Sequence, residues 1–144
     1  MLPRRWDRGH LWIEYFENGE LHSAGLFQPD NDNCWLPRLD FCWWGRARVN
    51  ACNPGQPLQN DKHHGKGRVN GVGSLPIRMK EGVDKSCDEV LNSLKARINH
   101  YHKNPPVFFL PGRFFGKNCR AWARMVLDEC GIELASEEIV QYTD

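Results

Sequence analysis

The sequence predicts an α+β fold on three observations: an aromatic-rich strand pair broken by Asn18-Gly19, an irregular middle, and two stretches of helical periodicity in the C-terminal half. At 144 residues the chain fits a single domain, residues 1–144, that buries about two-thirds of the surface its unfolded form exposes. A disulfide framework is not needed for stability at that size.

The elements follow in order. "HLWIEYFENGELHSAGLF" (10–27) reads as two strands, and Asn-Gly between them is the strongest short-range hairpin signal. From Gln28 to about Gly73 turn formers mix with scattered aromatics. Only "DFCWWGRARV" (40–49) has strand character there, and "QPLQNDKHHGKG" reads as an exposed loop. "SLPIRMK" (74–80) suits an extended edge strand. In "DKSCDEVLNSLKARINHYHK" (84–103), Cys87, Val90, Leu91, Leu94, Ile98 and Tyr101 share one helical face, and Ser86 with Glu89 forms a capping-box signature. The prolines of "NPPVFFLPGRFFGKN" (104–118) exclude further helix and leave a loop with a short extended piece. The last helix puts Cys119, Trp122, Ala123, Val126, Leu127 and Cys130 on one face and ends at Gly131. Neither an internal repeat nor a coiled-coil heptad occurs.

Charge excludes some partners. Nineteen Lys and Arg against eighteen Asp and Glu give a net charge of +1 with no long run of either sign, so nucleic acid is not expected. The N-terminus lacks the apolar stretch of a signal peptide, and no window approaches the roughly 18 apolar residues of a membrane span. The expectation is a soluble chain made in the cytoplasm, without stable membrane insertion. Six cysteines (Cys34, Cys42, Cys52, Cys87, Cys119 and Cys130) lie in apolar patterns and read mostly as free thiols. Zinc ligands drawn from Cys34, Cys42, Cys52, His63 and His64 would lack any CxxC or HxxxH spacing, so neither metal nor cofactor is expected. His100 and His102 suit the end of a helix, where positive charge is favourable.

A cysteine acts as a nucleophile when its thiolate is populated, and a helix N-terminus helps through its backbone N–H groups and dipole. Cys119 opens the last helix. It needs a base, and His10, a polar imidazole at the start of an apolar-aromatic strand, is the best candidate. The competing reading makes Cys119 a buried small hydrophobe and His10 a solvated strand end.

"GHLWIEYFENGELHSAGLF", followed about a hundred residues later by "GKNCRAWARMVLDECGI", resembles the circularly permuted branch of the papain-like NlpC/P60 superfamily, which includes lecithin:retinol acyltransferase-like and PPPDE-type proteins and bacterial hydrolases and toxins. The resemblance covers roughly residues 9–27 and 104–132. It implies a permuted papain-like fold, an antiparallel sheet with its N-terminal β-hairpin packed against helices, with Cys119 as nucleophile and His10 as general base. "HSAGLF" is similar to the glycine-plus-aromatic strand of the bacterial members.

A third group would orient the imidazole, and the turn decides which. With a two-residue Asn18-Gly19 loop, Tyr15 faces His22, and Ser23 shares the face of His10. With a three-residue Glu17-Asn18-Gly19 loop, Glu14 faces His22, and His22 shares it instead. His22 is the leading candidate, its spacing of twelve residues after His10 resembling the acyltransferase-like branch, and the three-residue loop is the expected turn.

The resemblance further implies a peptide or peptidoglycan substrate cleaved at an amide bond, delivery by a secretion machine to a target-cell periplasm without a signal peptide, and, for a toxin, a dedicated immunity protein. Two other readings use the same residues. A thiol acyltransferase or deamidase acting on protein or lipid would share the chemistry, although no hydrophobic C-terminal anchor favours lipid. A catalytically inactive binding module would use Trp35 and Phe41–Trp44 as a peptide or glycan groove.

Overall fold

Strands β1 (Ile13–Glu17) and β2 (Glu20–Phe27) form the expected hairpin, in a computed structural model that describes residues 11–38, 41–52, 75–112 and 114–136. Asn18 (φ 54°) and Gly19 (φ 78°) both take positive φ. That is the signature of a two-residue type I′ turn, whose twist matches the strands it joins. Glu17 pairs with Glu20, Tyr15 with His22 and Glu14 with Ser23. The three-residue loop is therefore corrected: Asn18, a residue that tolerates the left-handed conformation, adopts it together with Gly19, and Glu17 pairs with Glu20 without a bulge. The parity argument for His22 goes with it.

β5 (Arg48–Cys52) pairs with β2 and completes a three-stranded antiparallel sheet in the order β1-β2-β5. Two helices cover its inner face. α1 (Cys87–Lys103) is capped as expected, with Ser86 Oγ accepting the Glu89 backbone N–H at 3.2 Å. Leu94 and Ile98 of its apolar stripe are buried, whereas Cys87 is exposed at the helix start. α2 (Cys119–Glu129) ends at Gly131, whose φ of 79° supplies the left-handed stop. Trp122, Ala123 and Val126 of α2 are at most 2% exposed and join Ala24, Leu26 and Val49 of the sheet in one core. Cross-links fix the helices' relation: Tyr101 donates to Glu129 at 2.6 Å, Arg97 Nε donates to Glu129 at 2.6 Å, and Tyr101 meets Trp122 edge-on. The two helices therefore run antiparallel.

The middle of the chain is more ordered than its composition suggests. β3 (Cys34–Arg38) and β4 (Phe41–Arg46) pair, and β7 (Val107–Phe109) adds to β4, giving a second sheet in the order β3-β4-β7. The segment 40–49 is thus not one strand. Its chain passes at Ala47 from the second sheet to the first, with the Ala47 N–H bonded to the Pro106 carbonyl at 3.1 Å. β6 (Ile77–Met79), the expected edge strand, pairs with β8 (Ile132–Leu134). The loop read at "QPLQNDKHHGKG", with His63 and His64, lies outside the described residues, as does His10.

Cys34 and Cys42 form a disulfide between β3 and β4, Cα atoms 5.9 Å apart, across the irregular register at Leu36. Cys87, Cys119 and Cys130 are free. The disulfide takes two of the five residues from which a zinc site would be drawn.

Two outcomes are expected. Reducing the disulfide, or replacing both cysteines by serine, should cost about 2–3 kcal/mol for so short a loop, read as a lower melting temperature. Gly45→Ala should cost about 1–3 kcal/mol, because a Cβ there would run into the Asn33 carbonyl and the Pro29 ring. A wild-type melting curve would contradict that packing.

Candidate active site at the start of the second helix

The chain reaches α2 through a segment tied closely to β7. The Lys117 N–H donates to the Val107 carbonyl at 2.8 Å and the Phe109 N–H to the Lys117 carbonyl at 3.2 Å. Pro105 and Pro106 have already ended the helical run, so this stretch is extended where it meets β7. Asn118 then acts in two directions. Its Oδ1 accepts the Ala121 N–H at 2.9 Å, capping the helix, while its Nδ2 donates to the Leu110 carbonyl at 3.2 Å. Gly112, at φ 73°, lies so close to the Asn118 amide that any Cβ there would displace it.

Cys119 is the next residue, half-buried and packed against the core. The first turn of α2 holds no acidic residue, and Arg120 follows Cys119 directly. Cys130 contrasts with it. It is fully buried at the other end of α2, and burial pushes its thiol up from the ordinary cysteine value. A protonated thiol in that position is inert.

The other expected residues are placed as follows. His22 stacks flat on Tyr15, with ring centroids 5.0 Å apart and 8° between planes. It lies two residues from the hairpin turn, where Glu17 is bonded to Lys95 of α1 at 2.6 Å. Cys119 lies beyond Tyr101, toward the opposite end of the antiparallel helices. The ten residues from Cys119 to Glu129 span about 15 Å, and it is Glu129 that contacts Arg97. The structure thus sets Cys119 and His22 toward opposite ends of the helix pair. Burial, and then the Glu17 carboxylate, raises the Tyr15 phenol, so that group stays protonated near neutral pH.

Ser23, opposite Glu14, is 1% exposed, the one buried polar residue among those described. Leu11, next to His10 in sequence, packs against the core. His102 Nδ1 lies 2.7 Å from the Val49 carbonyl and so bears the proton, an anchoring contact rather than a catalytic one. Among the described residues no group of three or more His, Cys, Asp or Glu is arranged to hold a metal ion, and no helix is long and apolar enough to cross a membrane.

The double role of Asn118 was not anticipated, although asparagine ranks among the strongest helix caps and its position before the periodic run is the signal. Set against family models, curated proteins and solved structures, the chain finds no match.

Asn118→Ala should lower stability by about 1 kcal/mol through the lost cap, and more through the freed Leu110 carbonyl. Asn118→Asp should recover the cap alone. Thermal melts of both variants check this, and an unchanged Asn118→Ala would contradict the anchoring role.

Proposed function

We propose that the protein is a cysteine hydrolase of permuted papain-like type that cleaves amide bonds, with Cys119 as nucleophile and His10 as general base. The observation that carries the reading is Cys119 itself: a partly buried free cysteine on the first residue of a helix whose buried face packs against the hairpin sheet. Two further features support it. Leu11, the residue after His10 in sequence, packs against the same core as Cys119. Cys130, the other cysteine on the same helical face, is buried and held protonated.

In the mechanism, His10 takes the proton of Cys119, and the thiolate adds to the amide carbonyl. Backbone N–H groups at the start of α2 stabilise the oxyanion. Collapse expels the amine, which leaves with the proton held by His10, and a thioester to Cys119 remains. Water, deprotonated by His10, adds to the thioester and regenerates the thiol. An amine or alcohol acceptor in place of water makes the same site an acyltransferase. The two-residue turn puts Ser23 beside Glu14, on the sheet face opposite the Ala24 and Leu26 that α2 packs against, and leaves His22 near the hairpin turn, so the reading is a Cys119–His10 dyad with neither His22 nor Ser23 as its orienting group.

The substrate assignment rests on the resemblance to bacterial NlpC/P60-type hydrolases: peptide amide bonds of peptidoglycan, reached by delivery of the protein to a target-cell periplasm. The disulfide between Cys34 and Cys42 suits an oxidising compartment of that kind. An immunity protein would accompany such a toxin.

Purified peptidoglycan is the substrate for the test. Cys119→Ser and His10→Ala should each lower amide cleavage by about 1,000-fold or more with unchanged melting temperature, while Cys130→Ser should lower stability and leave the rate. Equal losses at all three positions would refute the assignment. His22→Ala and Ser23→Ala should both keep the wild-type rate, as a dyad requires; a reduced rate in His22→Ala would restore it as orienter.

A further inference from the structure

The second sheet carries a surface that the Cys119 chemistry does not use. Trp44 meets Trp35 at 5.8 Å between ring centroids, Phe109 at 6.2 Å and Phe115 at 5.8 Å, and Phe109 lies 5.4 Å from Phe115. This is a ring cluster open to water, not a core: Trp35 is 52% exposed and Phe115 63%. Beside it Phe114 is 89% exposed and holds φ at 62°. For a bulky side chain that conformation costs about 1–3 kcal/mol. Contiguous exposed aromatics of this size mark interaction sites.

Charge narrows the partner. Arg46 lies with its guanidinium carbon 5.9 Å from the Trp35 ring centroid, and Arg38 lies 5.2 Å from that of Trp43. Neither arginine pairs with a carboxylate among the described residues. The three strands and residues 110–117 contain arginine and lysine but neither aspartate nor glutamate. The acidic residues that precede β3 are Asp30 and Asp32, and Asp30 is occupied in accepting from Asn33. Asp40, between β3 and β4, lies outside the described residues. Tryptophan, phenylalanine and arginine without acids is the composition of a protein interface centre. A phosphate backbone would call for a longer stripe of cations than these strands carry.

We propose that this face docks a protein partner through a segment that seats an apolar side chain against Trp35, Phe114 and Phe115 and turns carboxylates toward Arg38 and Arg46. The occupant is acidic because the cations beside these rings, Arg38 and Arg46, pair with no carboxylate among the described residues. The inference goes beyond the hydrolase reading and does not depend on it.

Random dodecapeptides displayed on phage and selected on the immobilised full chain test this. The expected result is enrichment of sequences combining Trp, Phe or Leu with several Asp or Glu. A synthetic peptide of that kind should lose affinity by about tenfold or more in Trp35→Ala, in Phe115→Ala and in Arg38→Glu. All three side chains are exposed, and circular dichroism of each variant verifies its fold. No enrichment, or binding untouched by the three substitutions, would overturn the proposal. So would binding of N-acetylglucosamine oligomers or of oligothymidylate that is lost in these variants while acidic peptides fail to bind, since the surface would then belong to a sugar or a nucleic acid. Cys119→Ser should leave peptide binding unchanged, which separates this result from the fate of the hydrolase.

Discussion

Burial of one face of α2 against the hairpin sheet is the constraint on which the rest of the structure depends. Trp122 and Val126 are wholly withdrawn from water and Ala123 nearly so, and large apolar side chains buried in this way supply most of a small domain's stability. The Trp122 indole N–H is enclosed without a partner, a cost of about 1–3 kcal/mol that the packing around it must outweigh. Because that face is fixed, so is the rotation of α2. Cys119, three residues before Trp122, is thereby held on the side that meets the sheet, while the Asn118 cap fixes where the helix begins. Placement of the Cys119 thiol is in this sense a product of core packing.

The same segment connects the two surfaces of the molecule. β7 belongs to the second sheet, yet Lys117, two residues before Cys119, is hydrogen-bonded to it on both sides. Gly116 permits that approach, since a Cβ there would meet the Val107 carbonyl and Phe109. Phe109 and Phe115 of the exposed ring cluster therefore share a loop with the helix start. A partner seated on Phe115 would touch the same loop whose Leu110 carbonyl is held by Asn118, the cap of α2.

Local signals were readable in the sequence and non-local ones were not. Ser86 with Glu89, the stripe through Leu94 and Ile98, and Gly131 after Cys130 each specify a helix or its end from a few neighbouring residues. The hairpin was equally clear. Its register was not, because Asn18-Gly19 is compatible with both a two-residue turn and a three-residue loop, and one residue of slip moves His22 and Ser23 to opposite faces. β3 was illegible for a different reason. Pro37 and the bulge at Leu36 break its alternation, and its pairing partner β4 is itself held by β7, more than sixty residues away. β8 has only three residues and exists through β6. The Cys34–Cys42 bond follows from that pairing, and even cysteine counts do not reveal it. Of the candidate site, the position of Cys119 at the start of α2 was legible from helix periodicity, whereas the sheet faces of His22 and Ser23 required the turn geometry.

The most direct test of the central claim is the rate of iodoacetamide alkylation at each free thiol of the folded protein near pH 6.5, located by mass spectrometry, in wild type and in His10→Ala. An exposed, unassisted thiol is provided internally by Cys87. The account requires Cys119, although more buried than Cys87, to react much faster than it, and to lose that advantage when His10 is removed. Cys119 reacting no faster than Cys87, or keeping its rate in His10→Ala, would contradict the Cys–His pairing and leave Cys119 a core residue of α2.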